Sequence, residues 1–330
     1  MEEKLLTVIV PTYNMDFCLE ENLKSYLVPE AEKSLCVTVL DNSSSDGSFE
    51  IAEKYERLYP KIFRAIRKEN RGYGSSVNLG IKIARSRYIK VVDADDSVNP
   101  RGLSALLSAL EASDADVVLT PYTERDFRSG AETAAAFPFS AGESLTPRDL
   151  KKRRPLPSIF TSTYKTELLR ENGITLLENA YFADEELALY PFFFAKSISA
   201  VGASVTKYTV NREGQSVSPE NKIRLLSDRE AVLKRMLDFY EGAKIPTENE
   251  DFAKSRLALS LGNHLTTLYI LHPERQRGRR LAKEFSEYLK LRNLSFYKMI
   301  NKKRTILSLL NFFGVSDRSF RALKERFLRR

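Results

Sequence analysis

The chain has 330 residues, of which 42% are hydrophobic and 29% charged, a composition typical of a soluble globular protein with one or two cores. No apolar run approaches the ~18 residues of a membrane span, and the acidic start that leads into a strand predicts no signal peptide. Two cysteines, Cys18 and Cys36, are too few for a disulfide framework and too isolated for a zinc site, so we expect a reduced, cytoplasmic protein.

The formal net charge of +8 is unevenly spread. Residues 273–330 hold seventeen Lys or Arg against five Asp or Glu, whereas the residues before them hold 35 against 39. This asymmetry predicts a negatively charged partner for the C-terminal region, either a membrane surface or nucleic acid.

The first hundred residues alternate between apolar runs and segments with helical spacing. Strands are predicted at residues 5–10, 35–40, 62–66 and 89–92. The first run is continuous rather than alternating, which is typical of a central parallel strand buried on both faces, and the third is weaker. The alternation predicts an α/β fold with a doubly wound, mostly parallel, Rossmann-like sheet. Its ligands should lie beyond the carboxyl ends of the strands.

The rest of the chain divides into a mixed part and a helical part. Further strands are predicted at residues 116–120, 198–201 and 207–211, and further helices at 102–110, 165–172 and 184–194. Residues 124–154 show no clear period, which predicts a surface excursion over the site. Beyond residue 218 the pattern is helical. We therefore predict a catalytic domain over residues 1–218 and a basic, all-helical C-terminal region over residues 219–330.

Three carboxylates follow the fourth predicted strand, Asp93, Asp95 and Asp96. Asp is common in solvated turns, so these three acids could form such a turn without any function. Two acids two positions apart at a strand end can also reach one hard cation, and Mg²⁺ usually takes one or two carboxylates together with substrate phosphates. The sequence thus favours an Mg²⁺ or Mn²⁺ site at Asp93 and Asp95.

Two other strand ends offer groups suited to a nucleotide. Tyr13 follows the first strand, where its ring could stack a base or simply pack, and Asp41 ends the second, where it could accept from a ring N–H or a ribose hydroxyl. Arg71 lies in a loop with Gly72 and Gly74, which let the backbone approach a ligand closely. A surface arginine is an equally good interpretation of Arg71.

Four segments resemble, in order and spacing, the motifs of family 2 glycosyltransferases. They are Pro11-Thr-Tyr-Asn14, Leu40-Asp-Asn-Ser-Ser-Ser-Asp-Gly47, Asn70-Arg-Gly-Tyr-Gly-Ser-Ser-Val-Asn-Leu-Gly80 and Asp93-Ala-Asp-Asp96. The resemblance implies a GT-A fold and inverting transfer of a sugar, from a UDP-sugar or another nucleotide sugar, to a glycan or lipid-linked acceptor of cell-surface polysaccharide. In the family the acidic cluster holds a divalent metal that bridges the donor's phosphates. The resemblance implies that Asp95 is the first candidate ligand, that Asp93 is the second or contacts the ribose instead, and that Asp96 is a ligand or a neighbour of one. The residues that it implies for binding the nucleotide sugar are Pro11, Tyr13, Asp41, Arg71, Asp93 and Arg212. Asn42 stands where a second acid is common, which leaves the nucleobase preference open.

The resemblance also implies a general base in the second half of the chain. The family's acidic pair maps onto Ala183 and Asp184, which places the base at Asp184, but Glu185 and Glu186 follow directly and leave the register open. Acids in a first helical turn are favoured by the helix dipole without any catalytic role. A later segment resembles the family's stretch that closes over donor phosphates or acceptor. Its candidate residues are Arg212, Gln215 and Ser216.

The C-terminal end carries an apolar stripe of Phe320, Leu323 and Phe327 among basic residues. This predicts an amphipathic segment that either lies on anionic lipid or packs on the catalytic domain. His264 and His272 lie far from the motifs and are predicted to be structural or exposed.

Two other functions remain open at this point. A nucleotidyltransferase shares the sheet and the acids, but it normally has a Gly-rich basic loop after the first strand, where this chain has Pro11-Thr-Tyr-Asn14. A nucleic-acid-binding protein would use the basic tail. There the aromatic residues follow apolar stripes instead of alternating with basic residues on one face, so no nucleic acid partner is expected. The sequence does not predict the oligomeric state.

Overall fold

A computed structural model of the chain describes residues 4–212, 215, 218–316 and 318–320. The strands are β1 (Leu6–Thr12), β2 (Leu35–Asp41), β3 (Phe63–Arg67), β4 (Tyr88–Val91), β5 (Ser97–Val98), β6 (Val117–Leu119), β7 (Tyr122–Asp126), β8 (Glu132–Ala134), β9 (Ser144–Leu145), β10 (Ser162–Lys165), β11 (Ile198–Ala200) and β12 (Thr206–Val210).

The helices complete the described elements. They are α1 (Asp16–Lys24), α2 (Ala31–Ser34), α3 (Ser48–Leu58), α4 (Gly72–Ile83), α5 (Pro100–Ala112), α6 (Pro147–Leu150), α7 (Thr166–Glu171), α8 (Asp184–Leu187), α9 (Pro191–Phe194), α10 (Pro219–Arg224), α11 (Leu226–Gly242), α12 (Thr247–Thr266), α13 (Arg275–Arg292) and α14 (Leu294–Phe312), with a π-helical turn at Thr267–Leu271 after α12. The chain divides into two compact units, Met1–Glu213 with Lys244–Phe252, and Gly214–Ala243 with Ala253–Arg330. The predicted boundary at residue 218 stays a prediction.

An eight-stranded sheet with the order β3-β2-β1-β4-β10-β6-β11-β9 forms the centre of the first unit. Strands β3, β2, β1 and β4 are parallel, and β10 runs antiparallel to both of its neighbours. All seven residues of β1 are buried, as a central parallel strand requires. The predicted α/β fold with a mostly parallel sheet is therefore confirmed. The chain adds β2 and β3 on one side of β1 and β4 on the other, so the order of the strands switches between β1 and β4.

A second sheet shows where the sequence pattern was misleading. Its order is β5-β12-β7-β8, and β7 and β8 fall largely within residues 124–154, which were predicted to form an irregular excursion. The helix predicted over residues 184–194 is broken into α8 and α9. Pro191 is the first residue of α9, and proline cannot continue a preceding helix because it lacks the backbone N–H and clashes with the turn before it.

The second unit is helical, as predicted for the C-terminal region. Helix α11 buries Leu233 and Met236, and the ring of Tyr240 lies edge-on to Phe296 of α14 at 5.1 Å. His264 is buried, and this burial, with a smaller contribution from Arg229, lowers its pKa to about 3. His272 is also buried.

No helix in the described part of the chain is both long enough and apolar enough to cross a bilayer. Leu323 and Phe327 of the predicted amphipathic stripe lie outside the described residues.

Helix α4 packs very closely against the segment that leads to Asp184. A Cβ atom on Gly74 would lie 2.1 Å from the carbonyl oxygen of Leu177. The Asn78 side chain fastens the same segment, since Nδ2 donates to the Leu176 carbonyl at 2.9 Å and Oδ1 accepts from the Leu176 N–H at 2.7 Å. Gly74 and Asn78 therefore fix the backbone at Leu176 and Leu177, about a hundred residues further along the chain.

We expect Gly74→Ala to destabilise the protein by about 1–3 kcal/mol, because the added methyl group meets a backbone oxygen that cannot rotate away. Thermal or denaturant unfolding measures the change. Gly242→Ala is the matched control, since a Cβ atom there would meet nothing within 4 Å. Equal stability of the two variants would show that the close approach of α4 does not constrain the fold.

Candidate active site

The nucleotide candidates lie at adjacent strand ends. Thr12, the last residue of β1, pairs in register with Asp41, the last residue of β2. Tyr13 follows directly and is 48% exposed, whereas Pro11 is buried within β1. An exposed aromatic ring therefore stands at the end of β1, next to the carboxylate that ends β2.

The Asp41 carboxylate is fully buried and only partly satisfied. Its Oδ2 accepts from Arg67 Nε at 3.1 Å and from the Ser44 N–H at 3.1 Å. Its Oδ1 is buried and accepts no hydrogen bond from the described residues. One buried acceptor thus remains available at this strand end.

The loops after β1 and β2 are tied together. The Asn14 N–H donates to Ser44 Oγ at 2.9 Å, and the Ser45 N–H donates to Asn14 Oδ1 at 2.9 Å. These bonds hold the loop that carries Tyr13 against the loop that follows Asp41.

Backbone strain concentrates around the predicted motifs. Among the described residues, positive φ angles at non-glycine positions occur at Asn14, Ser43, Asn179, Phe182 and Asn211. These positions flank the segments that hold the candidate tyrosine, aspartates and arginine. Left-handed backbone is unfavourable for residues with a Cβ, most of all for a bulky one such as Phe182, and such strain often marks functional sites.

The acidic turn after β4 is fixed from two sides. Asn22 of α1, fully buried, donates from Nδ2 to the carbonyl oxygens of Asp93 at 3.1 Å and Asp96 at 2.9 Å. Thr209 of β12 donates from Oγ1 to the Asp95 carbonyl at 2.6 Å and from its N–H to Asp96 Oδ1 at 2.8 Å. Side chains from two distant parts of the chain therefore hold three carboxylates in one turn.

The carboxylates of this turn oppose one another's ionisation. Burial raises the pKa of Asp93, and the charges of Asp95 and Asp184 raise it further. Burial likewise raises the pKa of Asp96 well above its usual value, with Asp93 and Asp95 adding to the shift. Asp93 Oδ1 and Asp96 Oδ2 are buried and accept no hydrogen bond within the described part of the protein. Both carboxyls therefore resist ionisation in the folded protein.

Two cations lie next to the turn. Arg212, which follows β12, donates to Asp95 Oδ2 from Nε at 2.9 Å and from Nη2 at 2.8 Å. Lys90 is buried within β4 and donates to the Phe160 carbonyl at 2.9 Å. Burial lowers the pKa of Lys90 to about 7, although Asp96 opposes the shift. Lys90 is therefore a weak counter-charge.

The three candidate bases have different environments. Glu186 is fully buried, with Oε2 accepting from the Leu177 N–H at 2.5 Å and Oε1 accepting from the Tyr190 hydroxyl at 2.9 Å. It therefore anchors α8. Asp184 and Glu185 are both half-buried. Asp184 lies close enough to the acidic turn for its charge to raise the pKa of Asp93.

The remaining candidates are Arg71, Gln215 and Ser216. Arg71 is 56% exposed at its side chain and pairs with Glu178 at 2.9 Å. The backbone carbonyl of Gln215 accepts from Asn221 Nδ2 at 2.8 Å, and Ser216 lies outside the described residues.

Several residues of this region were missed by sequence reasoning. Arg67 ends β3 in register with Asp41, so the order of the parallel strands could have revealed it. Lys68 follows and donates to Asn42 Oδ1 at 2.9 Å, at the position where the chain departs from the family motif. Asn22 and Thr209 carried no recognisable signal, because their roles depend on contacts with residues more than seventy positions away.

A cavity of about 500 Å³ also lies in the first unit, lined in part by Thr7, Cys36 and Ser86. These residues lie at or near the amino-terminal ends of β1, β2 and β4. Doubly wound sheets bind ligands at the carboxyl ends of their strands, so the acidic turn is the better candidate.

Comparison with known proteins agrees with the fold and the motifs. The family model described as Glycosyl transferase family 2 matches residues 7–172. YibD of Escherichia coli K12, named an uncharacterized glycosyltransferase, is 29% identical over 191 residues, which cover 54% of this chain and 54% of that protein. TarS of Staphylococcus aureus, named a poly(ribitol-phosphate) beta-N-acetylglucosaminyltransferase, is 26% identical over 214 residues, which cover 64% of this chain and 36% of that protein. The chain thus matches about half or less of the length of these relatives.

Solved structures show the same fold. Residues 1–349 of S. aureus TarS, in complex with UDP-GlcNAc, superpose with a TM-score of 0.68 at 22% identity, covering 94% of this chain and 92% of that one. The mannosyltransferase PcManGT of Pyrobaculum calidifontis, solved with GDP-Man and Mn²⁺, gives a TM-score of 0.51 at 17% identity, covering 96% and 89%. At these identities the likeness concerns the fold, which is of the GT-A type. Because the family model covers half of the sequence, the chain belongs to glycosyl transferase family 2.

Proposed function

We propose that this protein is an inverting glycosyltransferase that takes a sugar from a nucleoside-diphosphate donor, most simply a UDP-sugar, and that residues 1–218 carry the reaction. One observation carries the proposal. Tyr13 follows β1, Asp41 ends β2 and the acidic turn follows β4, and these strands are parallel neighbours. An aromatic ring, a buried acceptor and carboxyl oxygens without hydrogen bonds therefore stand along one edge of the sheet. In a nucleoside diphosphate, the base suits the aromatic ring, a ring N–H or ribose hydroxyl suits the buried acceptor, and the diphosphate with its metal suits the carboxylates.

The groups at the ends of β1 and β2 suit a nucleobase and ribose. The exposed Tyr13 ring offers a face on which a base can stack, an interaction worth about 1–3 kcal/mol. Asp41 Oδ1 needs a donor, which a ring N–H or a ribose hydroxyl would supply. Arg71 and Arg212 are the arginines that we assign to the donor's ribose and phosphates.

The acidic turn fits a divalent cation. Asp93 and Asp96 each keep a buried oxygen without a hydrogen bond, and the pKa of each is raised chiefly by burial and further by the neighbouring carboxylates. No ready-made group of three or more His, Cys, Asp or Glu ligands occurs in the described ranges. Mg²⁺ and Mn²⁺ do not need one, since water and substrate phosphates complete their shell. We assign Asp95 and Asp93 as ligands and Asp96 to holding the turn.

The chemistry needs a base and a stabilised leaving group. We assign the base to Asp184, because its charge acts on the acidic turn, whereas both oxygens of Glu186 accept hydrogen bonds from Leu177 and Tyr190. Glu185 is the alternative. The acceptor oxygen forms the new bond to the anomeric carbon, the bond from that carbon to the diphosphate oxygen breaks, and Asp184 takes the hydroxyl proton. A bound divalent cation supplies Lewis-acid stabilisation of the charge on the departing diphosphate.

The acceptor that we propose is a glycan or lipid-linked molecule of cell-surface polysaccharide synthesis, modified at the cytoplasmic face of the membrane. The relative TarS is named a poly(ribitol-phosphate) beta-N-acetylglucosaminyltransferase, which supports an acceptor that is a polymer. The basic C-terminal region would bring the protein to an anionic membrane surface, since each basic residue near such a surface adds about 1 kcal/mol of attraction.

A panel of nucleotide sugars with Mn²⁺ tests the proposed reaction through release of free nucleoside diphosphate. We expect one donor to be hydrolysed slowly without acceptor. Asp95→Asn should reduce this release about 100-fold or more, since metal stabilisation of a leaving group is worth several kcal/mol. Asp184→Asn should reduce transfer about 100-fold to 10,000-fold while donor binding persists. Asp114→Asn, at an exposed site, is the matched control and should keep full activity.

The outcome against the proposal is equally specific. If no nucleotide sugar is hydrolysed or bound, or if Asp95→Asn keeps full activity, the assignment of the acidic turn to the donor diphosphate is wrong.

The buried acids also predict a dependence of stability on pH. The pKa of Asp96 is raised in the folded state, so the folded protein binds more protons than the unfolded chain above pH ~4, and stability falls as pH rises from there towards the folded pKa. Asp96→Asn removes this charge and keeps Oδ1 as acceptor for Thr209. We expect Asp96→Asn to be more stable than the parent by about 1–3 kcal/mol at pH 8, with a smaller gain at pH 5.

Unfolding in EDTA at both pH values measures this effect. Asp114→Asn is again the control and should change stability little and with the opposite sign, because Lys165 and Arg87 lower the pKa of the exposed Asp114. A variant Asp96→Asn that is less stable than the parent at pH 8 would show that the Asp96 charge is compensated in the fold.

A further inference from the structure

The pairing of Arg212 with Asp95 is the starting observation. Two nitrogens of one guanidinium, Nε at 2.9 Å and Nη2 at 2.8 Å, donate to the same oxygen, Oδ2, of the aspartate that we assign as principal metal ligand. Both side chains are mostly buried, with exposures of 18% for Arg212 and 16% for Asp95. Charge-assisted bonds of this kind are stronger and less screened than surface ion pairs.

Neighbouring contacts hold Arg212 at the turn. Its guanidinium carbon lies 5.9 Å from the centre of the Phe17 ring, within the range of a cation–π contact. The preceding residue, Asn211, has a φ of 62° and donates from Nδ2 to Asp126 Oδ2 at 2.5 Å. Thr209, three residues before Arg212, is bonded to the acidic turn itself. The position of the guanidinium is therefore built into the fold.

A guanidinium and a hard divalent cation make incompatible demands on one carboxylate oxygen. Mg²⁺ would need Asp95 Oδ2 at about 2.0–2.1 Å. The lone pairs of that oxygen already accept hydrogen bonds from the guanidinium. Two positive groups on the same oxygen also repel each other. A diphosphate removes the conflict, because it offers the arginine a new anionic partner with bidentate geometry.

We propose that Arg212 occupies the cation's place on Asp95 while the donor site is empty, and that it moves to the donor diphosphate when metal and nucleotide enter together. The inference rests on the proposed function and adds a role for one residue. Arg212 is then a positioning residue: it keeps the unloaded site neutral, weakens binding of the metal alone and strengthens binding of the metal with nucleotide. Because coupling between two ligands is reciprocal, the metal must strengthen nucleotide binding by the same factor.

Removal of the guanidinium gives opposite effects on the two ligands. Arg212→Met should bind Mn²⁺ about tenfold more tightly than the parent when no nucleotide is present, since Asp95 is then available. The same variant should bind UDP more weakly, and the factor by which UDP strengthens Mn²⁺ binding should fall. Loss of a residue that only contacts phosphate would weaken UDP binding and lower the factor by which UDP strengthens Mn²⁺ binding. It would not tighten Mn²⁺ binding in the absence of nucleotide.

Titration of the full chain with Mn²⁺, with and without UDP, separates these possibilities when free Mn²⁺ is followed by electron paramagnetic resonance. Arg125→Met is the matched control, because Arg125 also forms a partly buried ion pair, with Glu21, and contacts none of the three acids of the turn through it. Arg212→Lys is a second variant that keeps the charge but not the two-nitrogen geometry, and it should give an intermediate Mn²⁺ affinity. Thermal unfolding confirms that each variant is folded.

The outcomes are distinguishable. Tighter Mn²⁺ binding by nucleotide-free Arg212→Met, with Arg125→Met unchanged, supports the proposal. Unchanged or weaker Mn²⁺ binding by both Arg212 variants overturns it, even if UDP binding falls. If the parent binds neither UDP nor Mn²⁺ together with UDP, the proposed function itself fails.

Discussion

The site depends on the way one short turn is held. The backbone carbonyls of Asp93, Asp95 and Asp96 are bound by Asn22 from α1 and Thr209 from β12, so the backbone that carries the three carboxylates is fixed. Burial raises the pKa of Asp93 and Asp96, their mutual repulsion adds to the shift, and both effects create a demand for positive charge. Arg212 meets part of this demand, and a cation bound with a diphosphate would meet the rest.

The surrounding fold is arranged to bring the second half of the chain to this turn. Helix α4 lies so close to the segment before Asp184 that only glycine fits at position 74, and Asn78 bonds the same segment. Phe182, two residues before the proposed base, adopts a left-handed backbone that a bulky residue disfavours. Strain of this kind persists only where surrounding contacts enforce it, which is consistent with a geometry held for function.

Local patterns in the sequence predicted the parallel strands well and the long-range contacts poorly. The sequence alone predicts β1 and the acidic turn after β4. A strand buried on both faces is a continuous apolar run, and the end of a strand is marked by the polar residues that follow it. The pairing of β7 with β12 was missed, since it joins segments about eighty residues apart whose sequences show no clear alternation. Arg212 was identified as a phosphate candidate, but its bond to Asp95 spans 117 positions and only the folded chain reveals it. Pro191 separates α8 from α9, and a proline is a signal that sequence analysis can use. The helical spacing of the apolar residues around it favoured one continuous helix instead.

We propose that the carboxyl ends of β1, β2 and β4 form one site for a nucleoside diphosphate and a divalent cation. A crystal structure of the protein with UDP and Mn²⁺, with anomalous scattering recorded at the manganese edge, tests this proposal. We expect an anomalous peak within coordination distance of an Asp95 or Asp93 carboxylate oxygen, with the uracil ring against Tyr13. A manganese ion or a nucleotide bound at any other part of the sheet would contradict it.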